Sequence, residues 1–169
     1  MNAVNPFPAP GALSFFVPGR PAPQGSKHAR AIYRKGDGGT RVFTGKVVAV
    51  ESSKTGVARW RADVVNNALR VLEGAPPIEG PVRLRCVFVL PRPKRLPRSR
   101  PTPPHTTRPD SSKLLRSTED ALTTARVYLD DGQITETYVR KRIAEPDETA
   151  GAWIDVSPLP LGEDQCCTP

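Results

Sequence analysis

The stretch from Pro91 to Pro109, PRPKRLPRSRPTPPHTTRP, constrains the fold more than any other part of the chain. It holds seven prolines and six cations and carries no acid. Proline fixes its own φ, lacks an amide donor and biases the residue before it away from the helical region. A regular helix or interior strand therefore does not run through residues 91–109, and so polar a segment buries no core. It is expected to be extended or disordered, a loop between two structured parts. Twenty prolines among 169 residues, with 37% apolar residues, extend the argument to the whole chain. One packed domain of ~120 residues is expected, with the remainder in loops.

Hydrophobic periodicity places the elements around that loop. Residues 1–11 read as a flexible leader, 12–158 as the folded domain and 159–169 as a flexible tail. Leu13 to Val17 is a short run of strand formers closed by Pro18-Gly19. The basic, glycine-rich stretch after it reads as a loop, or as a loose hairpin with Arg41-Val42-Phe43. From Ser52 to Glu73, Val57, Trp60, Val64, Ala68 and Val71 recur at helical spacing, and Trp60 belongs to the core stripe. Val82 to Leu90 alternates, then becomes apolar on both faces, as suits a central strand. Beyond the loop, Leu114, Leu115, Thr118, Ala121, Leu122 and Ala125 share one helical arc of about 120°, with Ser112, Arg116 and Asp120 on the other side. Asp110, Ser111 and Ser112 are all competent N-caps. Val127 to Leu129, Ile134 to Ile143 and Ala152 to Val156 read as strands.

Charge narrows the partner. Lysine plus arginine exceeds aspartate plus glutamate by 25 to 17, and a surface of net charge +8 attracts polyanions, nucleic acid first among them. The expected DNA contacts are Arg92, Lys94, Arg95, Arg98, Arg100 and Arg108 of the loop, Lys27 and Arg30 of the N-terminal arm, and Lys113. Besides the histidines His28 and His105, the basic loops hold only Tyr33 as a flat ring, which argues against a single-strand or RNA binder built on stacking. His28 and His105 read as surface residues. Cys86 reads as a small buried hydrophobe, and the Cys166-Cys167 pair has no zinc-ligand pattern around it. No apolar run reaches membrane-spanning length and no secretory leader is visible, so a cytoplasmic protein with no membrane association is expected.

Residues 110–131 hold five of the seventeen acids. Carboxylates among cations suit a salt-bridge network. They equally suit a divalent-metal site, in which hard oxygen donors hold Mg²⁺ while the cations hold substrate phosphates. Asp130-Asp131-Gly132 is also a common turn sequence.

The same stretch resembles the RusA-type Holliday junction resolvases of phages and prophages. The resemblance rests on Asp110 at a helix start, Asp120-Ala121-Leu122, and Leu129-Asp130-Asp131-Gly132-Gln133, with a looser VPGRPAPQGSK pattern after the first strand. It implies an α/β (α+β) fold, a small mixed β-sheet packed by two main helices. It implies a Mg²⁺-dependent crossover junction endodeoxyribonuclease, with Mn²⁺ a plausible substitute and no small-molecule cofactor, acting on four-way branched DNA as a homodimer. Asp110 and Asp131 match the first and third aspartates of the family's metal-binding triad, and Arg116 matches its basic catalytic position. Ser112 stands where the second aspartate is expected. Asp130 is the preferred replacement ligand, with Asp120 and Ser112 as auxiliaries. The alternative is a catalytically impaired protein that binds branched DNA without cutting it.

Overall fold

The computed structural model describes residues 6–7, 12–25, 27–51 and 54–160. Most of the expected leader, most of the expected tail, Ser52 and the Cys166-Cys167 pair lie outside the described residues. In chain order the elements are β1 (Leu13–Pro18), β2 (Lys27–Lys35), β3 (Arg41–Glu51), α1 (Lys54–Leu72), β4 (Val82–Leu90), α2 (Ser111–Thr124), β5 (Ile134–Ile143) and β6 (Gly151–Pro158).

Strand β4 is where the alternation argument meets its clearest answer. Val82, Leu84, Cys86, Phe88 and Leu90 are buried, and so are Val87 and Val89 on the opposite face. The strand pairs antiparallel with β6 on one side and parallel with β5 on the other, within a four-stranded sheet of order β1-β6-β4-β5. Helices α1 and α2 cover one face. Trp60, Val64 and Ala68 of α1 and Leu114, Ala121 and Leu122 of α2 join Phe15, Val17, Leu84, Phe88 and Ile154 in the main core. On the other face Phe7, Val87, Val89 and Ala144 form a smaller cluster against Trp153. The fold is α+β, a mixed sheet with two helices. Among the described residues no helix is long and apolar enough to cross a membrane.

The helices are joined by polar contacts as well as apolar ones. Trp60 Nε1 donates to Thr118 Oγ1 at 3.3 Å, and that hydroxyl donates on to the Leu114 carbonyl at 3.1 Å. Arg61 of α1 forms an ion pair with Asp120 of α2. Trp60 is thus a core residue, as its place in the stripe predicts.

The N-terminal arm differs from expectation. It is a long antiparallel ribbon, β2 with β3, and β3 continues eight residues past Phe43 to Glu51. The strand formers Val47 and Val48 lie in this added length, but both are exposed, so no buried face marks it by alternation.

The loop of residues 91–109 is a correction. Residues 93–100 are not extended: two tight turns fold them, with Leu96 N bonded to Pro93 O and Arg100 N bonded to Pro97 O. Arg92 sits at the loop's centre. One guanidinium nitrogen donates to Thr102 Oγ1 at 2.7 Å and the other to the carbonyls of Pro97 and Arg100 at 2.9 and 2.8 Å. Arg98 at the rim pairs with Asp147. A planar fork of fixed donors can gather carbonyls from both sides of a turn, which a composition argument does not see. Replacing Arg92 with alanine should expose the loop to trypsin, with new cuts after Arg95 and Arg98 while the sheet stays resistant. Arg92→Lys should behave alike, because one ammonium cannot span both arms. A digestion pattern equal to that of the parent would reject the hub role.

Candidate functional site

The loop and the start of α2 build one side of a cleft. Lys141 of β5 donates from Nζ to the carbonyls of Thr107 and Pro109, at 2.8 and 2.9 Å, and so fixes the chain as it enters the helix. Opposite, Gln24 N bonds to Lys113 O at 2.9 Å and holds the segment after β1 against the first turn of α2. Between them lies a cleft of about 970 Å³ at the C-terminal end of β4. Its walls include Arg20, Lys94, Arg108 and Lys113, with Asp110 and His105 among them.

Asp110 is the N-cap of α2, with extended backbone, but its side chain makes no capping hydrogen bond. Its carboxylate lies 3.6 Å from Lys113 Nζ, with both side chains about half exposed. A positive helix terminus and a lysine hold that negative charge at the cleft wall. His105 has a buried Nδ1 without a hydrogen-bond partner. Burial, aided by the charge of Lys141, lowers its pKa from the ordinary histidine value.

The expected DNA contacts divide by position. Lys94, Arg108 and Lys113 line the cleft, joined by Arg20, which the sequence offered only as one cation in a basic stretch. Arg95 and Arg100 are exposed on the outer loop. Arg92 also borders the cleft, but both its terminal nitrogens are engaged, by Thr102 and the Ala144 carbonyl and by the carbonyls of Pro97 and Arg100, and Arg98 is held by Asp147. Lys27 and Arg30 belong to the ribbon strand β2, apart from the cleft lining.

The second acidic feature stands at the other end of β4. Asp130 caps a short 3₁₀ turn, Asp131–Gln133, and its Oδ1 accepts from Gly132 N at 2.8 Å. Gln133 completes the turn from the opposite side. Its Oε1 accepts from Leu129 N and Asp130 N, and its Nε2 donates to Ile78 O and Gly80 O, just before β4. A Cβ on Gly132 would stand 2.8 Å from Asp130 Oδ1, so the cap requires glycine there. Asp130, expected as an assisting ligand, thus caps the turn with one carboxylate oxygen, Oδ1. An N-cap aspartate and a ligand aspartate look alike in sequence. Asp131 is exposed on this turn.

On the outer face of α2, Ser112 and Arg116 are exposed. Asp120, expected as an auxiliary, forms an ion pair with Arg61 across the helix pair. The acid that sequence reasoning passed over is Glu119. It is half-buried, and its pKa is raised first by that burial, then by the charges of Asp131 and Asp120, against an opposing effect of Arg116. Glu119 is thus within electrostatic reach of Asp131. The signal was present, since Glu119 continues the Ser112–Arg116 stripe at the next helical step.

Asp110 and Asp131 are not brought together within one chain. Asp110 begins α2 beside the end of β4, whereas Asp131 follows α2 on a turn tied to the residues that precede β4. Among the described residues no three of the His, Cys, Asp and Glu side chains are grouped to hold a metal ion.

The Glu119 environment has a measurable consequence. A carboxyl whose pKa is raised by folding stabilises the fold fully below its unfolded pKa, and that contribution is lost as pH rises through the folded value. Glu119→Gln removes the ionisation. It should raise the melting temperature at about pH 7, with the gain fading below the ordinary glutamate value of 4.5. Thermal melts at both pH values check this; a variant less stable than the parent at neutral pH would refute it.

Comparison with known proteins adds an independent line. The family model described as Endodeoxyribonuclease RusA matches residues 18–151, well over half of the chain, spanning the cleft, α2 and the Asp131 turn. No curated protein sequence matches. With a match of that extent, the chain belongs to the RusA endodeoxyribonuclease family.

Proposed function

We propose that this protein is a Mg²⁺-dependent, structure-specific endodeoxyribonuclease that resolves four-way DNA junctions by phosphodiester hydrolysis, acting as a homodimer. The observation that carries the proposal is Asp131. The turn around it uses Asp130, Gly132 and Gln133 to build itself and leaves the Asp131 carboxylate outward, within electrostatic reach of Glu119.

The donor set suits the metal. Asp131 and Glu119 offer hard oxygens, and the like charge of Asp131, which after burial adds to the raised Glu119 pKa, is of the kind a divalent cation relieves. Bound there, Mg²⁺ or Mn²⁺ supplies Lewis-acid polarisation of a phosphoryl oxygen and a lowered pKa for the attacking water. The chain's own residues do the rest. Arg20, Lys94, Arg108 and Lys113 line a cleft for the phosphate backbone, and Arg95 and Arg100 extend that basic surface outward. Arg116, exposed on α2, presents a two-pronged donor to a phosphate.

The separation of Asp110 from Asp131 is consistent with a site completed by dimerisation. In an isologous dimer Asp110 of one protomer can face the Asp131 turn of its partner, giving two equivalent sites for opposed strands of a four-way junction. Ser112 carries the second reading, because its exposed hydroxyl replaces a carboxylate in the family pattern. A chain impaired by that replacement binds junctions without cutting them.

Incubation with a synthetic four-way junction, with and without Mg²⁺, beside a linear duplex, separates these readings. Cleavage of the junction should require the metal, and Asp131→Asn should abolish it while junction binding survives. Mixing Asp110→Asn with Asp131→Asn protomers should restore part of the activity, since one of the two shared sites in the mixed dimer is then intact. Sites contained within single chains would stay dead in the mixture. A parent that binds but never cuts, together with a Ser112→Asp variant that does, would establish the impaired reading instead. Junction affinity should also fall steeply between low and physiological salt.

A further inference from the structure

The ribbon of β2 and β3 forms its own two-stranded sheet, and its strands contact chiefly each other. Its apolar side chains are therefore uncovered. Ile32, Tyr33, Val42, Phe43, Val47 and Val48 are all exposed. Tyr33 and Phe43 lie opposite each other in the register, their ring centroids 5.8 Å apart, and the Arg41 guanidinium sits 4.7 Å from the centre of the Tyr33 ring. The next pair on that face is Lys35 with Arg41, because side chains two residues apart on a strand point the same way. A register shift between Ala31 and Tyr33 separates this distal half from the basal part of the ribbon. Bulges of this kind bend and twist a ribbon locally.

An uncovered aromatic pair ringed by cations marks a binding surface more readily than a core that was left open. The charges choose the occupant. From Arg30 to Lys46 the ribbon carries Arg30, Arg34, Lys35, Arg41 and Lys46 against one acid, Asp37. A second copy of the same face in a two-fold dimer would set like charges against each other. A polyanion with exposed flat rings complements both features at once. Nine residues of β2 span roughly 30 Å.

We propose that the distal half of the ribbon is a base-stacking wedge for branched DNA. Tyr33 and Phe43 stack against bases unstacked at the branch point, while Arg34, Lys35 and Arg41 grip the flanking phosphates. The wedge rests on the reading of branched DNA as substrate and adds to it the element that distinguishes a branch from plain duplex.

The test uses the full chain, without divalent metal, on a four-way junction carrying 2-aminopurine beside the branch point and on a linear duplex with the same label. The parent should raise the fluorescence of the junction and leave that of the duplex unchanged. The Tyr33→Ala/Phe43→Ala double variant should lose this rise and bind the junction roughly tenfold more weakly, with little change on duplex. Tyr33→Phe should keep both. Tyr33→Leu/Phe43→Leu, which retains apolar bulk without a ring face, should behave like the alanine pair, and its melting temperature should match the parent because the ribbon stands apart. A leucine pair that keeps the fluorescence rise and the junction preference overturns the wedge. So does a leucine pair that becomes monomeric, which would assign the surface to a second copy. A parent that binds the junction no better than duplex sinks the branched-DNA reading itself, before any variant is measured.

Discussion

Strand β4 is hydrogen-bonded along both edges and buried on both faces over its second half, and the placement of everything functional depends on that double confinement. Its entry is polar. Arg85 lies opposite Asp155 in the β6 register and pairs with it at 2.8 Å, although Asp155 is fully buried. Removing either partner alone would strand a charge or a donor in the sheet, a far larger disturbance than loss of a surface pair. The strand's two ends then become fixed points. The basic loop and the Asp110 cleft leave from one, and the Gln133 clamp grips the chain just before the other. The two acidic features are separate because the strand that anchors them is rigid.

Much of this was legible in the residues, and the limits have physical causes. Val82 to Leu90 and the Leu114–Ala125 arc announce themselves because burial on a defined face imposes a period on the sequence. The ribbon does not. Val47 and Val48 pair with β2 in solvent, and an exposed strand has no core to enforce alternation. The order in the proline-rich loop was equally hidden, since it depends on one guanidinium, that of Arg92, and not on composition.

The candidate site was legible as a list of residues and much less as an arrangement. Asp110 and Asp131 were found by motif, yet spacing along a chain says nothing of whether two carboxylates meet. Asp120 is engaged by Arg61, a residue of another helix, and no local pattern shows that contact. Glu119 shares a helical stripe with Arg116, but its raised pKa comes from burial and then from the charges of Asp131 and Asp120. Tertiary neighbours, which sequence periodicity does not encode, decide the chemistry of each acid.

The Asp131 turn shows this most directly. Its amides are already satisfied by Asp130 and Gln133, and Gly132 leaves room for the cap. The turn thus holds its shape by its own hydrogen bonds, so the exposed Asp131 carboxylate is carried on a backbone with little conformational entropy left to lose.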